Sequence, residues 1–501
     1  MNAKLDMSGL AERSELSRYK WQNGSVFLGR LHADHGINAV AGIADDRHLV
    51  VQAGSRGGKG VSFIIPNLIE WQGGAVVIDP KGEAASITAV RRGNDEQRKG
   101  SGSSVKKTLG GRVAILDPMG VVRGAARSQN YRVNYDPMTE IDITGVDAVN
   151  AIETMVEGIV TAEQGGSAAH FSDTAATILA GVIEAVLIGE PKERHSLPFV
   201  RKVIAGGSHT ILAALDKAEN GYLAPAALGL IDDVGDNEMG SISSTLGRNL
   251  KWLSDPRIQS HMIGGSFSLR QAVCDGWTVY ICIPPRMIPR FSRWLRLIVN
   301  VAFDAKMSTP LHAQQGLQSL FILDEFAALG HFKLIEDAAA YMAGYGIKLV
   351  PIIQNIGQIK KHYGQNWETF LANAGAILSW STNDHETEEY ISKRCGQIIV
   401  TEDGRSYSEN FKKTGLFQTE KLEGYSSSRS RSQHERPVRR PSEIHYQAAR
   451  HTGRAFVIPA DTRPFTIERL SYFDQKRFRG LYDSPEAIAG WEKRFQERRK
   501  K

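Results

Sequence analysis

Two segments of this chain carry residue types that handle polyphosphate, and roughly half the sequence separates them. The first is Gly54-Ser55-Arg56-Gly57-Gly58-Lys59-Gly60-Val61. Its glycines let successive backbone N–H groups crowd around phosphate oxygens, and Lys59 adds a positive charge. A helix starting near Val61 would also point its positive end at the anion. The second segment is Phe321-Ile322-Leu323-Asp324-Glu325, an apolar run that ends in two carboxylates. At the carboxyl edge of a sheet, Asp324 is suited to hold a magnesium ion through water, and Glu325 to orient and deprotonate an attacking water. Gln354 closes the next apolar run, Leu349 to Ile353, where it either senses a terminal phosphate through water or only caps the strand. A glycine-rich turn or a strand-end Asp-Glu pair is weak evidence alone. Their joint occurrence points to a nucleoside triphosphate with Mg2+ as what the chain consumes.

The loop departs from the common pattern at one place. A Ser or Thr normally follows the lysine and ligates the metal, whereas this chain has Gly60. Three readings follow: another group or water takes that position, Ser62 reaches inward, or nucleotide is bound and hydrolysed poorly. Pro66 lies about six residues into the expected helix, so that helix must be short or bent. Asp79-Pro80-Lys81-Gly82-Glu83, at the end of the following strand, either borders the site or forms a locally charge-paired turn.

The elements that must position these residues are short runs rich in Val and Ile: Val50 to Gln52, Ala75 to Ile78, Val113 to Leu116, Thr278 to Ile283, Leu320 to Leu323, Lys348 to Ile353, Ala376 to Trp380 and Ala455 to Ile458. Lacking polar and apolar alternation, they predict strands covered on both faces, and helical patterns between several of them predict an α/β fold with a mostly parallel sheet. Between Leu116 and Thr278 the pattern changes. Apolar positions at helical spacing in Phe171 to Ile188, Phe199 to Leu215, Ala224 to Val234 and Ser241 to Leu253 predict an inserted all-helical domain.

The expected organisation is an amino-terminal arm at 1–45, a nucleotide-binding domain in two parts at 46–139 and 269–480, the helical insertion at 140–268, and a basic tail at 481–501. Within the second part, residues 404–440 include Ser426-Ser427-Ser428-Arg429-Ser430-Arg431-Ser432 and are expected to form a flexible surface loop. The tail, ending Arg498-Arg499-Lys500-Lys501, is expected to be solvated, with phosphate contact as the functional alternative.

With 501 residues, 42% hydrophobic and 23% charged, the composition excludes wholesale disorder and a membrane-embedded chain. The longest apolar stretch, Ser172 to Ile188, is interrupted by Asp173 and Glu184 and does not reach the roughly 18 apolar residues of a membrane span. Met1 to Lys20 carries no signal-peptide pattern. Cys274, Cys282 and Cys395 lack metal-ligand or CxxC spacing. A cytoplasmic protein is expected, peripheral at the inner face of the bacterial membrane if it meets one. The net charge of +6 permits a polyanionic partner.

Taken together, these segments resemble the TraG-like coupling proteins of type IV secretion and conjugation systems. The resemblance runs from about Phe27 to Phe473 and rests on ordered motifs. Gly54 to Gly60 is followed by Ile65-Pro66-Asn67-Leu68, then by Val76-Val77-Ile78-Asp79-Pro80-Lys81-Gly82-Glu83. Leu323-Asp324-Glu325-Phe326-Ala327-Ala328-Leu329-Gly330 comes next, then Ile352 to Ile359, Tyr363-Gly364, and Asn383-Asp384 through Ser392-Lys393-Arg394-Cys395-Gly396. Glycine after the loop lysine and the proline in its helix both resemble recurrent variants of that family.

The resemblance implies an ATP-driven P-loop NTPase of the RecA/FtsK-like kind, with ATP and Mg2+ as cofactors, active as a homohexamer. It also implies delivery of DNA, a relaxase–DNA complex or effector proteins to a secretion channel. An arginine from a neighbouring subunit is then expected at the site, with Arg248, Arg286 and Arg394 as candidates. Family members usually begin with transmembrane helices before the segment that Phe27-Leu28-Gly29-Arg30 resembles. Their lack here leaves a separate membrane-anchor subunit or a shortened form as readings. The alternatives in function are a non-hydrolysing substrate-recognition adaptor and a cytosolic hexameric DNA pump unconnected with secretion.

Overall fold

In a computed structural model of the chain, residues 9–500 are described except 162–165, 266, 309–317, 339–341 and 415–418. Eleven strands form one sheet: β1 (Val26–Leu31), β2 (Val40–Ile43), β3 (Leu49–Ala53), β4 (Ala75–Ile78), β5 (Val113–Leu116), β6 (Thr278–Ile281), β7 (Ser319–Leu323), β8 (Ile347–Ile353), β9 (Ala376–Trp380), β12 (Arg454–Pro459) and β13 (Phe465–Glu468). Two more, β10 (Gln397–Thr414) and β11 (Thr419–Pro437), pair only with each other.

The sheet order is β2-β1-β13-β12-β9-β3-β8-β7-β4-β6-β5. From β9 to β5 every neighbouring pair is parallel. Every residue of β3, β4, β5, β6, β7, β8 and β9 is buried. That is the physical reason for their unalternating Val/Ile sequences: helices cover both faces.

The rest of the sheet is antiparallel, and here the expected organisation needs correction. Residues 26–43, expected within an amino-terminal arm, belong to the main sheet. They supply β1 and β2, and Arg30 and Leu31 register with Glu468 and Ile467 of β13. Val26, Phe27, Leu28 and Leu31 are buried by that pairing.

Within 404–440, expected as a flexible surface loop, residues 404–414 and 419–437 run as strand. β10 and β11 make an antiparallel ribbon from Gln397 opposite Pro437 to Thr414 opposite Thr419, with one register shift between Asn410 and Phe411. A hydrogen-bonded ladder satisfies the backbone without any buried side chain, so the Ser/Arg segment is ordered in backbone while fully exposed.

The tail is a helix, Pro485–Lys500. Trp491 Nε1 donates to the Ser101 carbonyl at 2.9 Å, and Glu492 accepts from the Gly124 N–H at 2.9 Å and pairs with Arg127 at 3.2 Å. The Arg127 guanidinium lies 4.5 Å from the Phe495 ring centroid. One face is thus docked, while Lys493 and Arg494 on the other face are exposed.

Between β5 and β6 the described residues hold helices and turns but no named strand, including helices Ala148–Ile159, Gly166–Gly189, Leu223–Asp233 and Asp236–Asn249. The stretch Phe199 to Leu215, expected as one helix, breaks into Leu197–Ala205 and Ser208–Leu215. Gly207 at φ +82° makes the break, a conformation that glycine adopts without steric cost.

By length and hydropathy alone Ala169–Gly189 would pass as a membrane span, but 72% of its apolar window is buried inside the protein. Its buried Glu184 accepts the N–H groups of Tyr222, Leu223 and Ala224 at 3.0, 2.7 and 2.7 Å, capping the helix Leu223–Asp233.

The docked terminal helix gives a direct test. Trp491→Ala removes a half-buried ring and its hydrogen bond, and should destabilise the protein by about 2 kcal/mol. A lower urea midpoint with earlier proteolysis of the carboxyl terminus is the expected result.

Candidate nucleotide-binding site

The site forms where β3, β7, β8 and β9 end side by side. Because β8 lies between β3 and β7, the loop after β3 and the carboxylates after β7 meet over the end of β8. Gly57 N–H donates to the Gly54 carbonyl at 2.9 Å, closing a turn in which Arg56 has φ +58° and Gly58 φ +84°. Gly54 is constrained differently: a Cβ there would stand 1.9 Å from the Ser381 carbonyl oxygen of the chain leaving β9.

The helix after the loop resolves the Pro66 puzzle. Gly60–Ile64 is wound as a π-turn, with Ile65 N–H reaching back to the Gly60 carbonyl, and an ordinary α-helix follows over Ile65–Glu70. Pro66 therefore sits in the first turn of the α-segment, where its missing N–H costs little. Asn67 ties this helix to β1, taking the Phe27 N–H at 2.7 Å and donating to the Phe27 carbonyl at 2.9 Å.

Lys59 Nζ stands 2.7 Å from Asp324 Oδ1 and 2.8 Å from Glu325 Oε1. Burial alone would push the lysine pKa down, yet the two facing carboxylates outweigh it and hold the ammonium charged. Burial acts on Asp324 in the opposite sense, raising its pKa against the pull of Lys59.

Gln354 Nε2 donates to Glu325 Oε2 at 2.9 Å, and its Oε1 accepts from Ser55 Oγ at 3.0 Å. The buried Gln52 fixes Gln354 by donating to its carbonyl at 2.8 Å, and itself accepts from Ser379 Oγ at 2.6 Å. Loop, carboxylates and glutamine thus form one hydrogen-bonded chain.

Val61 meets the segment beyond β13 through its carbonyl, which accepts the Tyr472 N–H at 3.2 Å. Asp79 serves the turn rather than the cluster. Its carboxylate accepts from the N–H groups of Glu83 and Ala85 at 3.1 and 2.8 Å, burial raises its pKa to about 7, and Lys81 and Glu83 are exposed. Arg248, Arg286 and Arg394 lie on exposed surface.

Two contacts carried little or no sequence signal. Gly57's carbonyl accepts from Trp380 Nε1 at 2.8 Å and from Arg469 Nη1 at 2.7 Å. Trp380 could be placed only as a strand end, and nothing in the sequence marked Arg469.

The donor set suits Mg2+ held mainly by water and phosphate. Among the described residues no group of three His, Cys, Asp or Glu is arranged as a cage, and magnesium ordinarily uses one or two carboxylates with waters. Ser62 does not reach inward: its Oγ donates to the Gly58 carbonyl at 3.0 Å. A Cβ at Gly60 would meet nothing within 4 Å, leaving the usual position of the metal-binding hydroxyl open.

A family model described as type IV secretory system conjugative DNA transfer matches residues 6–493. The conjugal transfer protein TraG of Escherichia coli is 26% identical over 379 residues, covering 71% of this chain and 56% of the relative. Protein VirD4 of Rhizobium rhizogenes is 25% identical over 402 residues, covering 79% and 56%. The chain therefore spans little more than half the length of these curated relatives.

Among solved structures, the bacterial conjugative coupling protein TrwBdeltaN70 in an unbound form superposes with a TM-score of 0.64 at 17% identity, covering 92% of each chain. TrwB in complex with ADP and Mg2+ gives 0.61 at 18%, covering 92% of this chain and 93% of that one. These likenesses establish the P-loop NTPase fold.

The two glycines should respond oppositely to substitution. Gly54→Ala forces backbone apart at Ser381 and should cost about 2 kcal/mol or more, read as a lowered melting temperature. Gly60→Ser enters open space and should leave the melting temperature within about 1 °C, changing only the Mg2+ titration of nucleotide binding.

Proposed function

The chain belongs to the type IV secretory system conjugative DNA transfer family, and we propose that it acts there as an ATP-driven coupling protein, recruiting DNA or a relaxase–DNA complex and passing it to the secretion channel. The observation that carries this reading is the convergence of Lys59, Asp324, Glu325 and Gln354 on one sheet edge. TrwB, of the same fold, has been solved with a non-hydrolysable ATP analogue and with ADP and Mg2+, which supports ATP as the ligand here.

In this mechanism the N–H groups from Gly54 to Val61 surround the phosphates, and Lys59 exchanges its carboxylate partners for β- and γ-phosphate oxygens. Asp324 would hold Mg2+ through water, and the ion would supply positive charge where negative charge develops on the phosphates. Losing Lys59 frees Glu325 to take a proton from the attacking water, while Gln354, already bonded to Glu325, orients that water against the γ-phosphate. A homohexamer would let an arginine of a neighbouring subunit complete the site, with Arg248, Arg286 and Arg394 as candidates. The exposed faces of the helical insertion are where we place cargo discrimination. ATP and transferable DNA put the protein at the cytoplasmic side of the membrane, beside the channel and an anchor subunit where one exists.

Steady-state phosphate release by the purified chain, with and without single-stranded DNA, tests this. Glu325→Gln should lower turnover about 100-fold or more with nucleotide still bound, and Lys59→Ala should lose both binding and turnover. Wild-type turnover in both variants would remove the mechanism. An unmodified protein that binds ATP without turnover or DNA stimulation would instead be an adaptor.

A further inference from the structure

Arg469 lies one residue beyond β13, at the antiparallel side of the sheet, yet its guanidinium reaches the phosphate loop. All three of its bonded nitrogens donate to main-chain carbonyls: Nη1 to Gly57 at 2.7 Å, Nη2 to Arg450 at 3.0 Å and Nε to Arg454 at 3.2 Å. Its guanidinium carbon is 5.6 Å from the Trp380 ring centroid. Among the described residues no carboxylate pairs with it. Burial, with the nearby Arg450 charge, lowers its pKa to about 10, so it remains cationic at neutral pH.

Arg469 is half-buried, and a charge withdrawn from water ordinarily finds a partner of opposite sign. This one sits instead against an anion-binding loop, and a Cβ at Gly58 would have Arg469 Nη1 as its nearest neighbour, at 3.6 Å. The Gly57 carbonyl is also fully engaged, because Trp380 and Arg469 supply two donors for its two lone pairs. In a planar trans peptide the C=O and the following N–H point in opposite directions. Holding the Gly57 oxygen toward Arg469 therefore aims the Gly58 N–H the other way.

We infer that Arg469 is a positioning residue of the nucleotide site: it locks the Gly57–Gly58 peptide in the orientation that presents an N–H to phosphate and leaves one unneutralised positive charge to attract a nucleoside triphosphate. The inference rests on the nucleotide reading above. It acts on binding rather than on the chemical step, since Arg469 contacts neither Asp324, Glu325 nor Gln354 by any hydrogen bond among those described.

Titration of the full chain with the non-hydrolysable ATP analogue ADPNP and Mg2+, alongside ATP turnover and melting temperature, tests it. Arg469→Met keeps the length of the side chain without charge or donors, and should weaken ADPNP binding about 10- to 100-fold. Turnover at saturating ATP should stay within about threefold. Arg469→Lys should recover part of the affinity, and Trp380→Phe, which removes the second donor along with part of the buried ring, should weaken binding by about 3- to 10-fold. The loss should shrink from ADPNP to ADP to AMP, because the charge acts on phosphate.

A folded Arg469→Met protein that binds ADPNP as tightly as the unmodified chain overturns the inference and leaves the nucleotide reading intact. A folded unmodified chain that binds no ADPNP overturns both. If Arg469→Met does not fold, wild-type affinity in Arg469→Lys and Trp380→Phe together is enough to overturn it.

Discussion

Everything in this molecule is arranged around one contact, the ammonium of Lys59 between the carboxylates of Asp324 and Glu325. The partners are separated by about half the sequence, and only the strand order brings them together. β3 and β7 each end at the same edge with β8 between them, so their following residues converge above a single intervening strand. The helical insertion fits between β5 and β6, far along the sheet, without disturbing that spacing. Three facing charges so little exposed would be unfavourable if any one were removed. A triphosphate is a ligand that can take the lysine while leaving the carboxylates a metal and a water to engage.

The backbone around this contact is held away from relaxed geometry. Among the described residues, the non-glycine residues with positive φ are Arg56, Glu325 and Ser381. One is in the loop, one is the proposed base, and the third presents its carbonyl to Gly54. Such conformations cost about 1 kcal/mol or more each and persist only where surroundings fix them. Here the surroundings are identifiable. Gln354 and Lys59 hold the Glu325 side chain, the Ser381 N–H donates to the Ala448 carbonyl at 2.8 Å, and the turn around Arg56 is closed by Gly57 and Gly54. Clustering of strain at one sheet edge is independent of the motif and points to the same place.

How much of this was legible in the sequence depended on where the stabilising interactions lie. The parallel strands were readable because two-sided burial demands uninterrupted Val and Ile, and Ala75–Ile78, Val113–Leu116 and Ala376–Trp380 have the bounds their apolar runs suggest. Lys59, Asp324, Glu325 and Gln354 were readable because each follows such a strand. β1 was missed because its place in the sheet depends on a partner, β13, that lies more than four hundred residues away in sequence, and β2 pairs with β1 at the sheet's edge. The ribbon of β10 and β11 was missed because its polar ladder leaves no hydrophobic pattern. The terminal helix was masked by its charge, although Trp491 and Phe495 sit one turn apart on its docked side. Arg469 was invisible for a simpler reason: its partners are carbonyls, and every residue has one.

The antiparallel side of the sheet then acquires a purpose beyond closing an edge. A small apolar cluster of Phe27, Ile65, Ile69, Ile87, Leu470, Tyr472 and Phe478 joins β1, the helix after the phosphate loop and the segment beyond β13. Polar contacts reinforce it: Asn67 brackets Phe27, Tyr472 N–H meets the Val61 carbonyl, and Arg477 pairs with Glu70 at 2.9 Å. The loop helix is therefore gripped along its length by both ends of the described chain, while its amino end faces the Lys59 cluster. Close-packed interiors do not deform continuously; they shift as units. The loop helix, β1 and the residues after β13 therefore form one packed unit beside the Lys59 cluster. The parallel half of the sheet brings Lys59, Asp324 and Glu325 together, and the antiparallel half packs against the helix that follows the loop.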